Sequence, residues 1–180
     1  MNRIANFEKI SYGQFISDQK EIHNIYETGR IAGLNNKEVE IVQELIWKDI
    51  KLPERSTEDS AGYDFRSTAN FVLEPGGTIV LSTGIRCKID KGWVLVIVTR
   101  SGLGFKYRAV LANTIGVIDG DYYNSDNEGH IKIKICNDGD KRMEVKEGDK
   151  ICQGLFFQYG ITKDDNVTAK RNGGFGSTGK

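Results

Sequence analysis

The sequence predicts a mainly β domain of the sandwich or barrel class, with a helical region before it and a glycine-rich arm after it. From Lys51 onward, short apolar or alternating segments are separated by glycine-containing turns. Such a succession favours a sandwich or barrel over a sheet whose strands alternate with helices. The length of 180 residues suits one domain. We expect a strand and helical appendage at residues 1–50, a β core at 51–170 and an arm at 171–180.

Helical periodicity dominates the first fifty residues. Apolar side chains recur at spacings of three, four and seven residues between Tyr12 and Tyr26, which is the pattern of an amphipathic helix. A second helix is expected at about residues 37–47, and Asn35 with Glu38 has the spacing of a capping box. We interpret this region as a segment that packs on the outside of the domain.

Alternating apolar and polar side chains, with turn sequences between them, indicate the strands of the predicted core. Residues 85–89 and 131–135 alternate apolar with polar side chains, so each predicts a strand with one face in water. The run WVLVIV at 93–98 is apolar throughout and predicts a strand buried on both faces. The sequences EPGG at 74–77 and EGDK at 147–150 predict turns between further strands.

Composition and charge exclude several classes of protein. Lysine plus arginine and aspartate plus glutamate number 25 each, whereas nucleic-acid-binding proteins normally carry a basic excess, so we expect no nucleic-acid partner. No apolar run approaches a membrane span, and the first ten residues lack the apolar core of a signal peptide. Three cysteines without a CxxC pair indicate a reducing, cytoplasmic setting and no zinc site. With only two histidines, a carboxylate is the expected general base of any hydrolase.

Several short segments differ from ordinary strand sequence and carry groups suited to phosphate binding or acid–base chemistry. Arg100, Ser101 and Gly102 offer a guanidinium, a hydroxyl and an open backbone amide to phosphate oxygens. Asp119 and Asp121 are two carboxylates, of which one could be a base and the other structural. Taken singly, each segment also fits a turn or a solvated loop. The segments are SAGYDF (60–65), RSGLG (100–104), GVIDGDYY (116–123), GDKICQGLF (148–156) and RNGGFGSTG (171–179).

In this order the five segments resemble those of the trimeric dUTPases, the deoxyuridine triphosphate nucleotidohydrolases, over residues 51–180. The resemblance implies a jelly-roll-like β-barrel that forms a homotrimer, with active sites shared between subunits and the flexible C-terminal arm closing over each site as a lid. It also implies hydrolysis of dUTP to dUMP and pyrophosphate with Mg²⁺ on the triphosphate. The N-terminal region and the insertion NSDNE at 124–128 depart from the shortest members, and Gly104 replaces a more usual alanine.

The resemblance also implies roles for individual residues. Asp119 would activate the water that attacks the α-phosphorus, and Asp64 would support the waters of the metal ion. Tyr122 would pack against the deoxyribose and exclude a 2′-hydroxyl. Within a hairpin of residues 113–132 and the arm, the uracil would be bound by Asn113, Gly116, Val117, Ile118, Lys132 and Phe175. The phosphates would be held by Arg100, Ser101, Gly102, Gln153, Arg171, Gly176, Ser177 and Thr178.

Two alternatives remain open. A dCTP deaminase would share the fold, but it uses a glutamate at C4 of the base, whereas this segment carries Asp119. A binding or regulatory module would keep the fold and use the N-terminal helices to contact a partner. The intact set of five segments favours retained activity.

Overall fold

The computed structural model describes residues 2–21, 34–169 and 171, which are mainly β. Twelve strands run in the described residues: β1 (Ala5–Lys9), β2 (Glu54–Arg55), β3 (Tyr63–Arg66), β4 (Phe71–Leu73), β5 (Thr78–Ser82), β6 (Ile85–Ile89), β7 (Trp93–Thr99), β8 (Ala109–Leu111), β9 (Gly116–Ile118), β10 (Lys132–Asn137), β11 (Met143–Val145) and β12 (Lys150–Gln158). The helices are α1 (Tyr12–Glu21), α2 (Asn36–Asp49), α3 (Ser101–Tyr107) and a 3-10 helix at Gly120–Asn124.

The strands form four antiparallel sheets. The largest has the order β2-β3-β12-β7-β9, the next has the order β5-β10-β8, and β1-β6 and β11-β4 are pairs. Every pairing between the described strands is antiparallel, which confirms the expected sandwich or barrel class. The ladders described here do not join into one closed barrel.

Alternation placed the core side chains correctly in two strands and incorrectly in one. The isoleucines of β6 and of residues 131–135 point into one buried core. The run 93–98 is not buried on both faces: Leu95 and Ile97 are buried, but Val94, Val96 and Val98 are half-buried. The rest of this single chain covers that second face of the sheet only in part.

The N-terminal region is continuous with the β core. Strand β1 pairs with β6 over its whole length, from Ala5 opposite Ile89 to Lys9 opposite Ile85. The predicted first helix is present as α1, although its expected continuation to Tyr26 lies outside the described residues. No helix in the described ranges is long and apolar enough to cross a membrane.

Helix α2 begins with the capping box that the sequence predicted. The Asn35 side chain accepts hydrogen bonds from the backbone amides of Lys37 and Glu38, both at 3.1 Å, and Glu38 Oε2 accepts one from the Asn35 amide at 2.8 Å. The helix then packs on α1 through a small buried cluster of Ile10, Phe15 and Ile46.

The expected hairpin of residues 113–132 does not form as a pair of adjacent strands. Strand β9 pairs with β7, whereas β10, which begins at Lys132, pairs with β5 and β8. Thirteen residues, 119–131, separate β9 from β10. Because a tight hairpin needs a connection of only about two to five residues, this longer segment carries the chain to a different sheet. We call residues 119–131 the Asp119 loop.

Candidate functional site

Asp64 lies at the centre of a charged cluster on β3 and is 5% exposed. Its Oδ1 is 3.1 Å from Arg100 Nε, and its Oδ2 is 2.7 Å from Lys150 Nζ. Ser56 Oγ also donates to Oδ2, at 2.7 Å. Burial alone would raise the pKa of Asp64, but the hydrogen bonds from Lys150 and Ser56 and the charge of Arg100 lower it. The carboxylate is therefore ionised and fixed. We call these four residues the Asp64 cluster.

The strand order brings Gln153 next to this cluster. On β12, Gln153 lies opposite Asp64 of β3 on one side and Val98 of β7 on the other. Gly62 makes the approach possible, because a Cβ at this position would clash with the Gln153 carboxamide. The segments SAGYDF and GDKICQGLF therefore lie side by side on β3 and β12.

The segment RSGLG continues from β7 into α3, which the sequence analysis did not predict. Arg100 is the residue before the helix, and Ser101 and Gly102 form its exposed first turn. A Cβ at Gly102 would have no neighbour within 4 Å, so the backbone there is open. Beside it lies a cleft of about 430 Å³ whose lining includes three cations, Arg66, Arg100 and Lys150, and two carboxylates, Glu144 and Asp149. The guanidinium and ammonium groups are suited to phosphate oxygens.

Asp119 stands at the end of β9, and its side chain is 47% exposed. Arg171 bridges the two carboxylates of the segment: its Nη2 is 2.5 Å from Asp119 Oδ2, and its Nε is 2.9 Å from Asp121 Oδ1. The guanidinium carbon lies 5.8 Å from the centre of the Tyr122 ring. Asp119 and Asp121 thus lie close enough to share one partner.

Tyr122 is buried within the Asp119 loop, at 6% exposure. Its hydroxyl donates to the backbone oxygen of His130 at 2.8 Å and accepts from Asn127 Nδ2 at 2.8 Å. Burial raises the pKa of the phenol, so it stays protonated and keeps donating. Asn127 belongs to the NSDNE insertion, which therefore supports the tyrosine that the resemblance places against the sugar.

The residues expected to read the base lie along an edge strand. Gly116, Val117 and Ile118 form β9, which is the last strand of the five-stranded sheet. One edge of β9 pairs with β7, and no described strand pairs with its other edge, so backbone groups there can serve another partner. Asn113 lies exposed in the turn before it. Lys132 is not on the same pair of strands, and its ammonium is 2.7 Å from Asp18 Oδ1 of α1.

The Asp64 cluster and Asp119 are well separated within one chain. Gln153 of β12 lies opposite Asp64 on one side and Val98 of β7 on the other, so Asp64 is level with Val98. Ile118 of β9 lies opposite Leu95, which is three residues from Val98 along β7. Strand β9 lies three strands from β3. Extended by one residue, the register of β9 on β7 puts Asp119 level with Val94, four residues from Val98. At ordinary sheet spacings the backbone offset is about 13 Å along the strands and about 14 Å across them, or about 19 Å in all.

The arm residues Phe175, Gly176, Ser177 and Thr178 lie outside the described residues. In the ranges that are described, no three His, Cys, Asp or Glu side chains come together as a metal site. Cys87 and Cys152 are buried and Cys136 is half-buried, all as free thiols.

Sequence reasoning missed two sets of polar partners. Lys150 lies in the segment GDKICQGLF, but no pattern in the neighbouring sequence indicates that Lys150 and Ser56 contact Asp64. The Asp18 contact with His130 was also missed. A signal existed for Asp18, since it lies three residues after Phe15 and so falls on the apolar face of α1.

The chain is similar to known dUTPases in sequence and in structure. Residues 48–179 match the family model for dUTPase. Over 133 residues the chain is 40% identical to the deoxyuridine 5′-triphosphate nucleotidohydrolase of Lactococcus lactis, a match that covers 72% of this chain and 89% of the relative. The crystal structure of dUTPase from Streptococcus mutans has a TM-score of 0.56 at 34% identity, covering 62% of this chain and 88% of that one. A variant of the dUTPase from Staphylococcus aureus phage phi11, described with a structural Mg(II) ion, has a TM-score of 0.54 at 25% identity, covering 66% and 90%.

Proposed function

The chain belongs to the dUTPase family, and on that premise we propose that it hydrolyses dUTP to dUMP and pyrophosphate. The observation that carries the proposal is the family match over residues 48–179, which includes all five segments expected to form the site. The geometry supports it, because the segments supply a cationic phosphate site and a separate exposed carboxylate. The free thiols are in keeping with a cytoplasmic protein.

Asp119 is the proposed general base. A water bound to its exposed carboxylate attacks the α-phosphorus, the new P–O bond forms in line with the bond that breaks to pyrophosphate, and Asp119 accepts the proton. Arg171 contacts Asp119 Oδ2, and its departure would open that oxygen to the water. Once released, its guanidinium is free to bind the terminal phosphate, as the resemblance implies.

Arg100, Ser101, Gly102 and Gln153 are the proposed partners of the phosphate chain. The bound Mg²⁺ would neutralise charge that develops on the phosphates. Both oxygens of Asp64 already contact cations, so this residue fits contact with the ion through water rather than direct coordination. Triphosphate oxygens and waters would supply the remaining ligands.

We propose that each site is completed between subunits of a homotrimer. The backbone offset of about 19 Å between Asp64 and Asp119 supports this, since it separates the two carboxylates that the proposed mechanism applies to one triphosphate. Exposed apolar side chains on and near β9, Ile115 and Val117, supply surface for such an interface.

The Asp119 loop and β9 are the proposed nucleoside site. Backbone groups of β9 would pair with the uracil edge, where cytosine would leave buried groups unpaired. Tyr122 would lie against the deoxyribose without room for a 2′-hydroxyl. The stacking of Phe175 on the base stays a prediction.

The direct test is to incubate the purified chain with Mg²⁺ and dUTP, dCTP, dTTP or UTP separately and to measure pyrophosphate. Release from dUTP alone is expected. Ammonia from dCTP would instead indicate a deaminase. A folded trimer that releases pyrophosphate from none of the four nucleotides would contradict the proposal and favour a binding module.

A further inference from the structure

The N-terminal region holds the Asp119 loop at three points along its length. Near its start, Tyr123 donates its hydroxyl to Glu8 Oε2 at 2.7 Å. In its second half, Glu128 accepts from the amide of Ser11 at 2.8 Å and from its hydroxyl at 2.6 Å. At its end, His130 meets Asp18.

The last of these contacts is fully enclosed. The side chain of His130 is 0% exposed and that of Asp18 is 4% exposed. The backbone amide of Gly84 lies 2.9 Å from His130 Nε2 and can only donate, so Nε2 accepts and the ring proton is on Nδ1. Nδ1 therefore donates to Asp18 Oδ2, while Lys132 Nζ lies 2.7 Å from Oδ1. Asp18 thus fixes both the ring of His130 and its tautomer.

His130 in turn fixes Tyr122. The backbone oxygen of His130 accepts the Tyr122 hydroxyl at 2.8 Å. A chain of contacts therefore runs from Asp18 through His130 to Tyr122, and it joins residues 112 positions apart in sequence. A shift of His130 would move the carbonyl that anchors the phenol.

We propose that Asp18 of α1 is a positioning residue for sugar discrimination: through His130 it holds Tyr122 at the place where a 2′-hydroxyl is excluded. The inference rests on the proposed function, since it concerns the same nucleoside site. It makes the N-terminal region part of the specificity of the site, although that region contributes none of the five segments.

The test compares Asp18→Ala and Asp18→Asn with a matched control, Ile46→Ala. Ile46 is buried beside Ile10 and Phe15, so its truncation weakens the packing of the same region without removing a polar contact to the loop. For each protein, kcat and KM are measured with dUTP and with UTP, well below the unfolding temperature.

Misplacing a contact by about 1 Å can cost about a hundred-fold in rate, so we expect Asp18→Ala to lower the dUTP-to-UTP ratio of kcat/KM by about ten-fold. Because Tyr122 contacts the sugar before and during the reaction, most of the loss with dUTP should lie in KM. Asp18→Asn should have a smaller effect in the same direction, and it decides the question if Asp18→Ala does not fold. Ile46→Ala should keep the wild-type ratio.

An unchanged ratio in the Asp18 variants, or an equal fall in Ile46→Ala, would overturn the inference. A wild-type chain that hydrolyses neither nucleotide would instead contradict the proposed function. Amide hydrogen exchange of residues 120–132 then decides the positioning role by itself. Faster exchange in Asp18→Asn than in Ile46→Ala would support it, and equal exchange would overturn it.

Discussion

The Asp64 cluster and the Asp119 loop are held in place by different means. Within the Asp64 cluster, Asp64 and Lys150 lie on the paired strands β3 and β12, so backbone pairing sets their spacing, whereas Ser56 and Arg100 follow the ends of β2 and β7. The Asp119 loop has a short strand before it and a 3-10 helix within it, and it is fixed by side chains of the N-terminal region. Strand pairing therefore positions the carboxylate at the centre of the Asp64 cluster, whereas the Asp119 loop depends on contacts from outside its own sheet.

The two regions also differ in charge. In the Asp64 cluster, two cations surround one carboxylate, and Arg66 lines the adjoining cleft. At Asp119, two carboxylates share the one guanidinium of Arg171. The first arrangement attracts a triphosphate, and the second leaves a carboxylate to accept a proton.

The largest expected effect is on kcat, and it tests whether Asp119 acts in the chemical step rather than in substrate binding. Asp119→Asn should lower kcat for dUTP by about a hundred-fold to ten-thousand-fold with little change in KM, because the water loses its base. Steady-state pyrophosphate release measures it. The control is Asp126→Asn, which changes an exposed carboxylate of the insertion and should keep wild-type kcat. Equal rates in the two variants would remove Asp119 from the chemistry.

The second prediction tests the close approach of Gly62 to Gln153 beside the Asp64 cluster. In Gly62→Ala the new methyl group would displace the Gln153 carboxamide, which is the far end of a flexible side chain, so the variant should lose no more than about 0.5–1.5 kcal/mol of unfolding free energy. Because Gln153 is a proposed partner of the phosphate chain, the KM for dUTP should rise. Gly160→Ala is the matched control and should keep the wild-type KM, since a Cβ there meets nothing within 4 Å. Equal KM values in the two variants would show that the close approach at Gly62 is not required.

Acid should first weaken the contact between the N-terminal region and the Asp119 loop. Burial lowers the pKa of His130 from 6.5, although Asp18 and Glu128 raise it and Lys132 lowers it further. As the pH falls, the imidazole is therefore protonated in the unfolded chain at a higher pH than in the folded chain. The free energy of unfolding should fall as the pH drops below about 6.5.

A second phase of acid destabilisation belongs to Asp18. Burial alone would raise its pKa, but hydrogen bonds from His130, Lys132 and Gln14 lower it from 3.8 to about 2. Its contribution, about 2 kcal/mol, should be present above pH 4 and lost between pH 4 and 2. Unfolding free energies across this range measure it. Asp18→Asn should lack this phase, and a wild-type stability that stays flat from pH 7 to pH 2 would contradict both assignments.

The smallest expected effect concerns the contact that joins the arm to the Asp119 loop. The carboxylates that Arg171 bridges are about half exposed, so Arg171→Ala should change the unfolding free energy by less than about 1 kcal/mol. Its KM for dUTP should nevertheless rise. A large loss of stability would show that the contact is structural and that Arg171 is not free to reach phosphate.

Local signals determined much of this protein. The alternation of residues 131–135 specified which side chains enter the core, because successive side chains of a strand point to opposite faces. The capping box at Asn35 was predicted from four residues and is present. The five segments identified the family, because their order and residue types can be read from the sequence without knowledge of the fold. The division at residue 50 stays a prediction.

Only the tertiary structure decided how those parts meet. Helix α3 was not predicted, because Gly102 and Gly104 weaken any helical signal in seven residues. The pairing of β9 with β7 depended on which strand edge was open at that place, and no local pattern records that. Asp18 and His130 are 112 residues apart, so their contact follows from the packing of α1 on the core. Sequence patterns act over a few residues, whereas burial and charge pairing act through space, and the site needs both.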